Sequence, residues 1–313
     1  MTSQTYFKPG FSCKAFSEQA GEPLFATAIR TDVYLLLEYD GTWEEKAFEK
    51  SAVPVEVKAW ITLKMKELPA PRLLLIKSGT PARLGKIHFF VAVTQEKNPS
   101  LYAFELQSYE DLLKLDLLAI VAGDSKYQAH LRQEPLFLVC TNGRRDPDCA
   151  RHGTTVYNVL LAAPGDEAVP SVWQSTHVGG HRFAANMTLL PYGLLFGRMD
   201  AKSTLKALDS YRRGEVYMPN LRGRACYSEI VQAGEYFLRQ KTGDMGLDTY
   251  SFQSLQEITP GQWEVRFASL KLGEIHLLHI AVEKTDRMVF ESCRADKQTA
   301  ITRYNLIEYR GNG

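Results

Sequence analysis

Apolar residues in this chain fall into short runs broken by glycine, proline and acidic turns, and the period of those runs changes along the sequence. The run at 33–39, VYLLLEY, is continuous and closes on Asp40-Gly41, so it predicts a buried strand ended by a turn. From 55 to 68 the apolar positions Val57, Trp60, Ile61, Leu63, Met65 and Leu68 trace a helical stripe, with Pro54 before it and Pro69 and Pro71 to stop it. Strands are expected over 72–77, 87–93 and 101–106, and a helix over 109–121. The first 25 or so residues hold neither period and read as an irregular arm.

A second series begins at Pro135. A short apolar strand over 136–139 runs straight into Cys140, and Cys149 opens a helix reaching about 162, with Asp148 placed to cap it. A strand over 171–175 leads into a loop holding Gly179 and Gly180. A hairpin over 187–198 turns at Pro191-Tyr192-Gly193, and a helix over 201–211 closes the series. The order β-α-β-loop-β-β-α is that of a thioredoxin-like domain. The first series has a similar order, which allows a degenerate duplication, although no residue-level repeat supports one. Beyond it, 227–240 reads as a helix and 244–260 as a connecting segment. Antiparallel strands are expected over 263–270, 275–282, 289–293 and 301–309. The expectation is therefore an α/β chain in three parts. These are an N-terminal α/β domain over 1–125, a thioredoxin-like domain over 126–213, and a small α+β appendage over 214–313.

Composition narrows the classes. Apolar residues make up 45% and charged residues 23% of 313, the profile of a soluble globular protein. Lys plus Arg number 37 against 36 Asp plus Glu, so no global field points to nucleic acid or an anionic membrane. No apolar run approaches the ~20 residues that span a bilayer, and the opening residues lack the apolar core of a secretory signal. Five scattered cysteines do not form a disulfide framework. A reducing, cytoplasmic setting is expected.

The chemistry concentrates in two segments. FLVCTNGRRDPDCARHG carries Cys140 and Cys149, and STHVGGHRFAAN carries His177 and His181. Two thiolates and two imidazoles favour zinc or an iron–sulfur cluster over magnesium or calcium. Zinc knuckles usually pair cysteines two to four residues apart, whereas clusters tolerate wider spacing. Gly179 and Gly180 suit either a tight turn or a close backbone approach that offers N–H groups to sulfur. Asn186 is placed to tie the histidine loop to backbone groups. Arg144, Arg145, Arg182 and Arg198 form either a basic rim for an acidic partner or ordinary structural ion pairs. His152 reads as a surface residue. Cys13, Cys226 and Cys293 read as isolated thiols, and with no CxxC pair anywhere disulfide exchange of the thioredoxin type is not expected. His276 and His279 point to opposite faces of one strand and make poor metal partners.

The segments CTNGRRDPDCARHG and HVGGHRFAANMTLLPYGLLFGRMD closely resemble the sucrase/ferredoxin-like family, as does AGEPLFATAIRTDVYLLLEY at 20–39. The H-x-G-G-H-R-F-A-x-N string is the most specific part. The resemblance implies a thioredoxin-like ferredoxin with a 2Fe–2S cluster held by Cys140, Cys149, His177 and His181. It also implies an electron carrier with unidentified redox partners rather than an enzyme. Many relatives carry a histidine where this chain has Asn142 and a cysteine where it has Asp148; neither position is an implied ligand. The rival reading is a zinc-binding or redox-sensing module. Hydrolysis, suggested by the family name, needs a positioned carboxylate pair that the sequence does not single out.

Ligand charge sets an expectation for the redox chemistry. Two thiolates and two neutral imidazoles around an oxidised 2Fe–2S core sum to about zero, against about −2 for four thiolates. Such a site is easier to reduce, and its imidazoles can exchange a proton near neutrality. The potential should lie above that of an all-cysteine ferredoxin. It should also depend on pH. A redox titration from about pH 6 to pH 9 measures this, and a flat profile would contradict it.

Overall fold

The computed structural model describes residues 10–78, 85–163, 171–294 and 297–311. In chain order the first elements are α1 (Cys13–Gln19), β1 (Val33–Glu38), α2 (Val55–Met65), β2 (Pro71–Lys77), β3 (Ile87–Val93), β4 (Ser100–Leu106) and α3 (Leu117–Val121). Then come β5 (Leu136–Cys140), α4 (Pro147–Ala162), β6 (Ser171–Ser175), β7 (Met187–Leu190), β8 (Leu194–Phe196) and α5 (Ala201–Arg212). The last are β9 (Leu221–Arg224), α6 (Glu229–Thr242), β10 (Tyr250–Thr259), β11 (Gln262–Ser269), β12 (Ile275–Phe290) and β13 (Gln298–Gly311). The chain is a mixed α/β protein in two compact units. One holds 31–178 with 187–193, and the other holds 1–30 with 179–186 and 194–313.

The unit of 31–178 is built on strands in the order β4-β3-β1-β2-β6-β5-β7. The parallel pair β1 and β2 is joined through α2, and β3 lies antiparallel on the far side of β1. β5 and β6 repeat this arrangement through α4, with β7 antiparallel on the far side of β5. The two β-α-β halves meet edge to edge where β2 pairs antiparallel with β6. Every residue of β1 is buried, which explains why its sequence is a continuous apolar run instead of an alternating one. Val33, Leu35 and Leu37 face a core shared with Val57 and Ile61 of α2.

The unit of 194–313 carries a second, antiparallel sheet in the order β10-β11-β12-β13. α6 shares the core of this sheet, and Gly234 permits a close approach, since a Cβ there would lie 3.0 Å from Val265. On α6, buried Glu235 pairs with Arg224 of β9 at 3.2 Å and with Arg239 at 3.0 Å. Burial pushes the Glu235 carboxyl up, but the two guanidinium groups outweigh it and leave it lowered.

Several expectations need correction. Residues 13–19 form a helix, capped by the Ser12 hydroxyl accepting from the Ala15 N–H, within what reads as an arm. The single helix expected over 109–121 is a 3₁₀ turn, Tyr109–Lys114, followed by α3. It breaks because Asp116 takes an extended cap conformation and gives its N–H to the Tyr127 hydroxyl. The segment over 250–259 is a strand despite its weak pattern, since most of its outer residues are exposed and pairing with β11 defines it. The two strands expected over 275–282 and 289–293 are one, ending at Phe290: Glu283 and Lys284 still pair with β13, and pairing resumes at Met288 after an irregularity. Among the described residues, no helix is long and apolar enough to cross a membrane.

One pair ties β1 to pH. The His88 Nδ1 lies 2.6 Å from Oε2 of buried Glu38. The hydrogen bond to Glu38 raises the His88 pKa above 6.5, against the opposing effect of burial. A raised folded-state pKa means that this stabilisation is full below the unfolded value and is lost as pH climbs through the folded one. In urea unfolding, wild type should exceed His88→Gln in stability in mildly acidic buffer, and the gap should close as pH rises. A gap that is constant or widens would refute this.

Candidate metal centre

Cys140 is the last residue of β5 and stands in register with Ser175, the last residue of β6. The two strands are parallel, so the chain leaves both at the same end. That end carries Cys140 from one strand and Thr176-His177 from the other, at the carboxyl edge where sites on α/β sheets gather. Thr176 is fixed to β2: its N–H donates to the Leu75 carbonyl at 2.9 Å, and its Oγ1 accepts from the Leu75 N–H at 3.0 Å. His177 therefore follows a pinned residue.

After Cys140 the chain turns on Asn142, whose carbonyl accepts the N–H groups of Arg145 and Asp146, both at 3.2 Å. The Asn142 amide also donates to the Glu44 carbonyl at 3.1 Å. The helix cap is Asp146 rather than the expected Asp148. Its carboxylate accepts the Asp148 N–H at 3.0 Å, and Pro147 opens α4. Proline belongs at that position because it has no N–H to leave unpaired. Cys149 thus sits in the first turn of α4, and Asp148 is fully buried, 3.5 Å from the Arg151 guanidinium.

Two glycines make this packing possible. A Cβ on Gly153 would stand 2.1 Å from the Cys140 carbonyl oxygen, and one on Gly143 would stand 2.7 Å from the Ala150 Cβ. Without side chains there, the start of α4 presses against the end of β5. The result is that one ligand atom each from Cys140, Cys149 and His177 all lie within 4.8 Å of one another. Both cysteines are buried, and His177 is half-buried. The hydrogen bond from Cys149 pulls the Cys140 thiol down; burial opposes it, the Val178 and Asn142 amides help, and Asp146 opposes. Cys140 is thus poised to carry the negative charge a metal wants. Sulfur, sulfur and imidazole nitrogen at this separation fit zinc or an iron–sulfur cluster.

His181, the fourth implied ligand, belongs to the other unit. It is buried and begins the 3₁₀ turn His181–Phe183. Gly179 and Gly180 before it have φ of 93° and 75°, a region that glycine enters without cost. Buried Arg222 clamps this turn, donating from Nη1 to the Gly179 carbonyl at 2.8 Å and to Asn186 Oδ1 at 2.9 Å. Asn186 in turn donates to the Gly180 carbonyl at 2.9 Å. Arg222 lies in LRGR on β9, where no local pattern marks it as part of this turn. Glu22, equally unmarked in the sequence, accepts from Arg182 through both oxygens at 2.8 and 2.9 Å.

The other arginines carry carboxylate partners as well. Arg144 meets Glu44 and Arg145 meets Glu45, each at 3.1 Å, while Arg198 lies 3.9 Å from Glu18. Of the two readings offered for these residues, structural pairing accounts for them, and a bare electropositive rim does not. His152 is half-buried on α4. The His279 ring lies 3.1 Å from Glu264, and His276 lies 3.0 Å from the Tyr309 hydroxyl. His177 and Asn142 also line a groove of about 1310 Å³ whose apolar lining includes Val55, Ala59, Leu63 and Leu73.

The sucrase/ferredoxin-like pattern matches residues 24–223. This chain belongs to the sucrase/ferredoxin-like family. Over 116 residues it is 27% identical to Altered inheritance of mitochondria protein 32 of Candida glabrata. That match takes in 37% of this chain and 33% of the yeast protein, so the chain spans about a third of the relative's length. No solved structure matches it. The family region contains both cysteines, both histidines and the whole of the glycine turn.

Gly153→Ala tests the packing of this sucrase/ferredoxin-like site. Its Cβ must displace the Cys140 carbonyl, so stability should fall by about 1–3 kcal/mol and bound metal should drop with it. Urea unfolding and metal analysis measure both. An unchanged midpoint with full metal content would show that the close approach does not position the sulfurs.

Proposed function

We propose that Cys140, Cys149 and His177, with His181 added by the family motif, hold a 2Fe–2S cluster and that the protein carries single electrons. The observation behind this reading is the convergence of two buried sulfurs and one half-buried imidazole within 4.8 Å, at the end of a parallel strand pair. When bound, the cluster supplies reversible one-electron oxidation and reduction. Burial of both cysteines keeps water from the sulfurs, and the Val178 and Asn142 amides stabilise charge on Cys140. His177 is the most exposed of the three, so a redox partner reaches the centre most directly across its edge, beside the apolar groove. Its ring nitrogen not bound to metal is the place where a proton is held or released. The order β6-β5-β7 and the α4 crossover support a thioredoxin-like ferredoxin domain. The proposal assigns no hydrolytic step. It requires thiols kept reduced, as in the cytoplasm; the yeast relative's name refers to mitochondria, whose interior would serve equally.

A second reading has the same geometry in its favour, because three donors this close also suit one tetrahedral zinc. Anaerobic purification with iron, sulfide and zinc analysis separates the two. The cluster reading expects a red-brown protein with equal iron and sulfide, and an EPR signal on reduction. A colourless protein with stoichiometric zinc would overturn it. His177→Cys should keep the iron but lower the potential by on the order of 100 mV or more, since a thiolate replaces a neutral ligand. If colour, potential and g-values were all unchanged, His177 would not be a ligand.

A further inference from the structure

Cys13 on α1 and Cys293 just beyond β12 lie 280 positions apart in sequence, and both belong to the unit of 1–30, 179–186 and 194–313. Their sulfurs are 3.0 Å apart, and the Cys13 N–H donates to the Cys293 Sγ at 3.2 Å. Both are buried, at 1% and 4% exposure. Phe290 packs edge-on against Phe11 and Phe16, with ring centroids 5.1 and 5.2 Å away, so aromatic contacts before and after Cys13 hold the two thiols face to face. A disulfide needs a sulfur separation of about 2.05 Å, which a shift of about 1 Å supplies. Neither residue belongs to the proposed cluster ligands, and both read from sequence as isolated thiols.

We infer that Cys13 and Cys293 are a disulfide-forming pair that staples the first helix to the last sheet. The oxidant is a low-molecular-weight disulfide such as oxidised glutathione. The thiolate of one cysteine attacks a glutathione sulfur, breaking its S–S bond and releasing one glutathione thiolate. The second cysteine, losing its proton, attacks the protein sulfur of the mixed disulfide, forms the Cys13–Cys293 bond and releases the second glutathione. Two thiols are oxidised and one disulfide is reduced to two thiols, so electrons and protons balance. Access to the buried pair comes through α1: a helix of seven residues is too short to be stable alone and opens locally more readily than the sheet it covers.

The staple reaches the histidine turn inside the same unit. The Ser17 hydroxyl at the end of α1 donates to Glu22 at 2.6 Å, and Glu22 binds Arg182, the residue after His181. Arg198 adds a bond to the Ser17 hydroxyl at 2.9 Å and one to the Glu22 carbonyl at 3.0 Å. Oxidation therefore fixes the element from which Glu22 holds Arg182, and reduction frees it to loosen.

The test uses the full chain, incubated with oxidised glutathione or with dithiothreitol, blocked with N-ethylmaleimide, digested and analysed by mass spectrometry without reduction. The expected product with glutathione is one cross-linked peptide containing Cys13 and Cys293, lighter by two hydrogens and absent after dithiothreitol. The oxidised protein should melt several degrees higher than the reduced protein, and this rise should vanish in Cys293→Ser. If both residues carry maleimide, or separate glutathione adducts with no cross-link, the inference fails. It also fails if both resist maleimide without a cross-link, as a shared metal ion would cause. The readout is independent of iron content, so it stands or falls apart from the cluster.

Discussion

The convergence of the candidate metal ligands depends on one close approach, the backbone of Gly153 against the carbonyl of Cys140. A helix carrying any side chain at that point would stand off from the strand end, because a Cβ there would overlap the oxygen at 2.1 Å. With glycine, the first turns of α4 fold down on β5, and a nine-residue separation in sequence becomes a contact between two thiols. Pairing of β5 with β6 then decides the third donor: parallel strands in register deliver their following residues to the same edge, and His177 is two residues past the register partner of Cys140. The donors thus follow from backbone geometry before any metal is considered.

Charge around the centre is arranged by local partners rather than by a general field. The chain is almost neutral overall, and the arginines that crowd the motif are matched by Glu44, Glu45, Glu22 and Glu18. The exposed pairs of Arg144 and Arg145 add little to stability, about 0–1 kcal/mol each, whereas Glu22 is buried beneath Arg182. Their effect here is to hold the loop between β5 and α4 and the turn at His181. What favours the anionic sulfur is closer in: a neighbouring thiol and two backbone amides on Cys140.

The other unit solves a different problem. Its histidine turn has no regular structure of its own beyond one 3₁₀ turn, so the carbonyls of Gly179 and Gly180 need donors. Arg222 and Asn186 provide them, and Arg222 also stacks 4.9 Å over the Phe183 ring. The cost of burying a guanidinium is offset by using nearly all its donors, since Thr27 takes two more through its carbonyl and hydroxyl oxygens. Cys13 and Cys293 lie in this unit too, with their sulfurs 3.0 Å apart.

Local pattern alone was enough for most elements. The strands at 33–38, 87–93 and 171–175, the helices at 55–65 and 201–212, and the family motif with both cysteines and both histidines all declare themselves through periodicity, turn residues or spacing. Such signals are short-range, carried by neighbours within a few residues. Tertiary structure decided what depends on distant residues. The weakly patterned segment at 250–259 is a strand because β11 pairs with it. Arg222 belongs to the histidine turn and Cys293 to Cys13, because a fold can place in contact side chains that share no local pattern. Two units that each gather separate stretches of chain follow from the same fact: chain order shows which residues are adjacent in sequence, and packing shows which are adjacent in space.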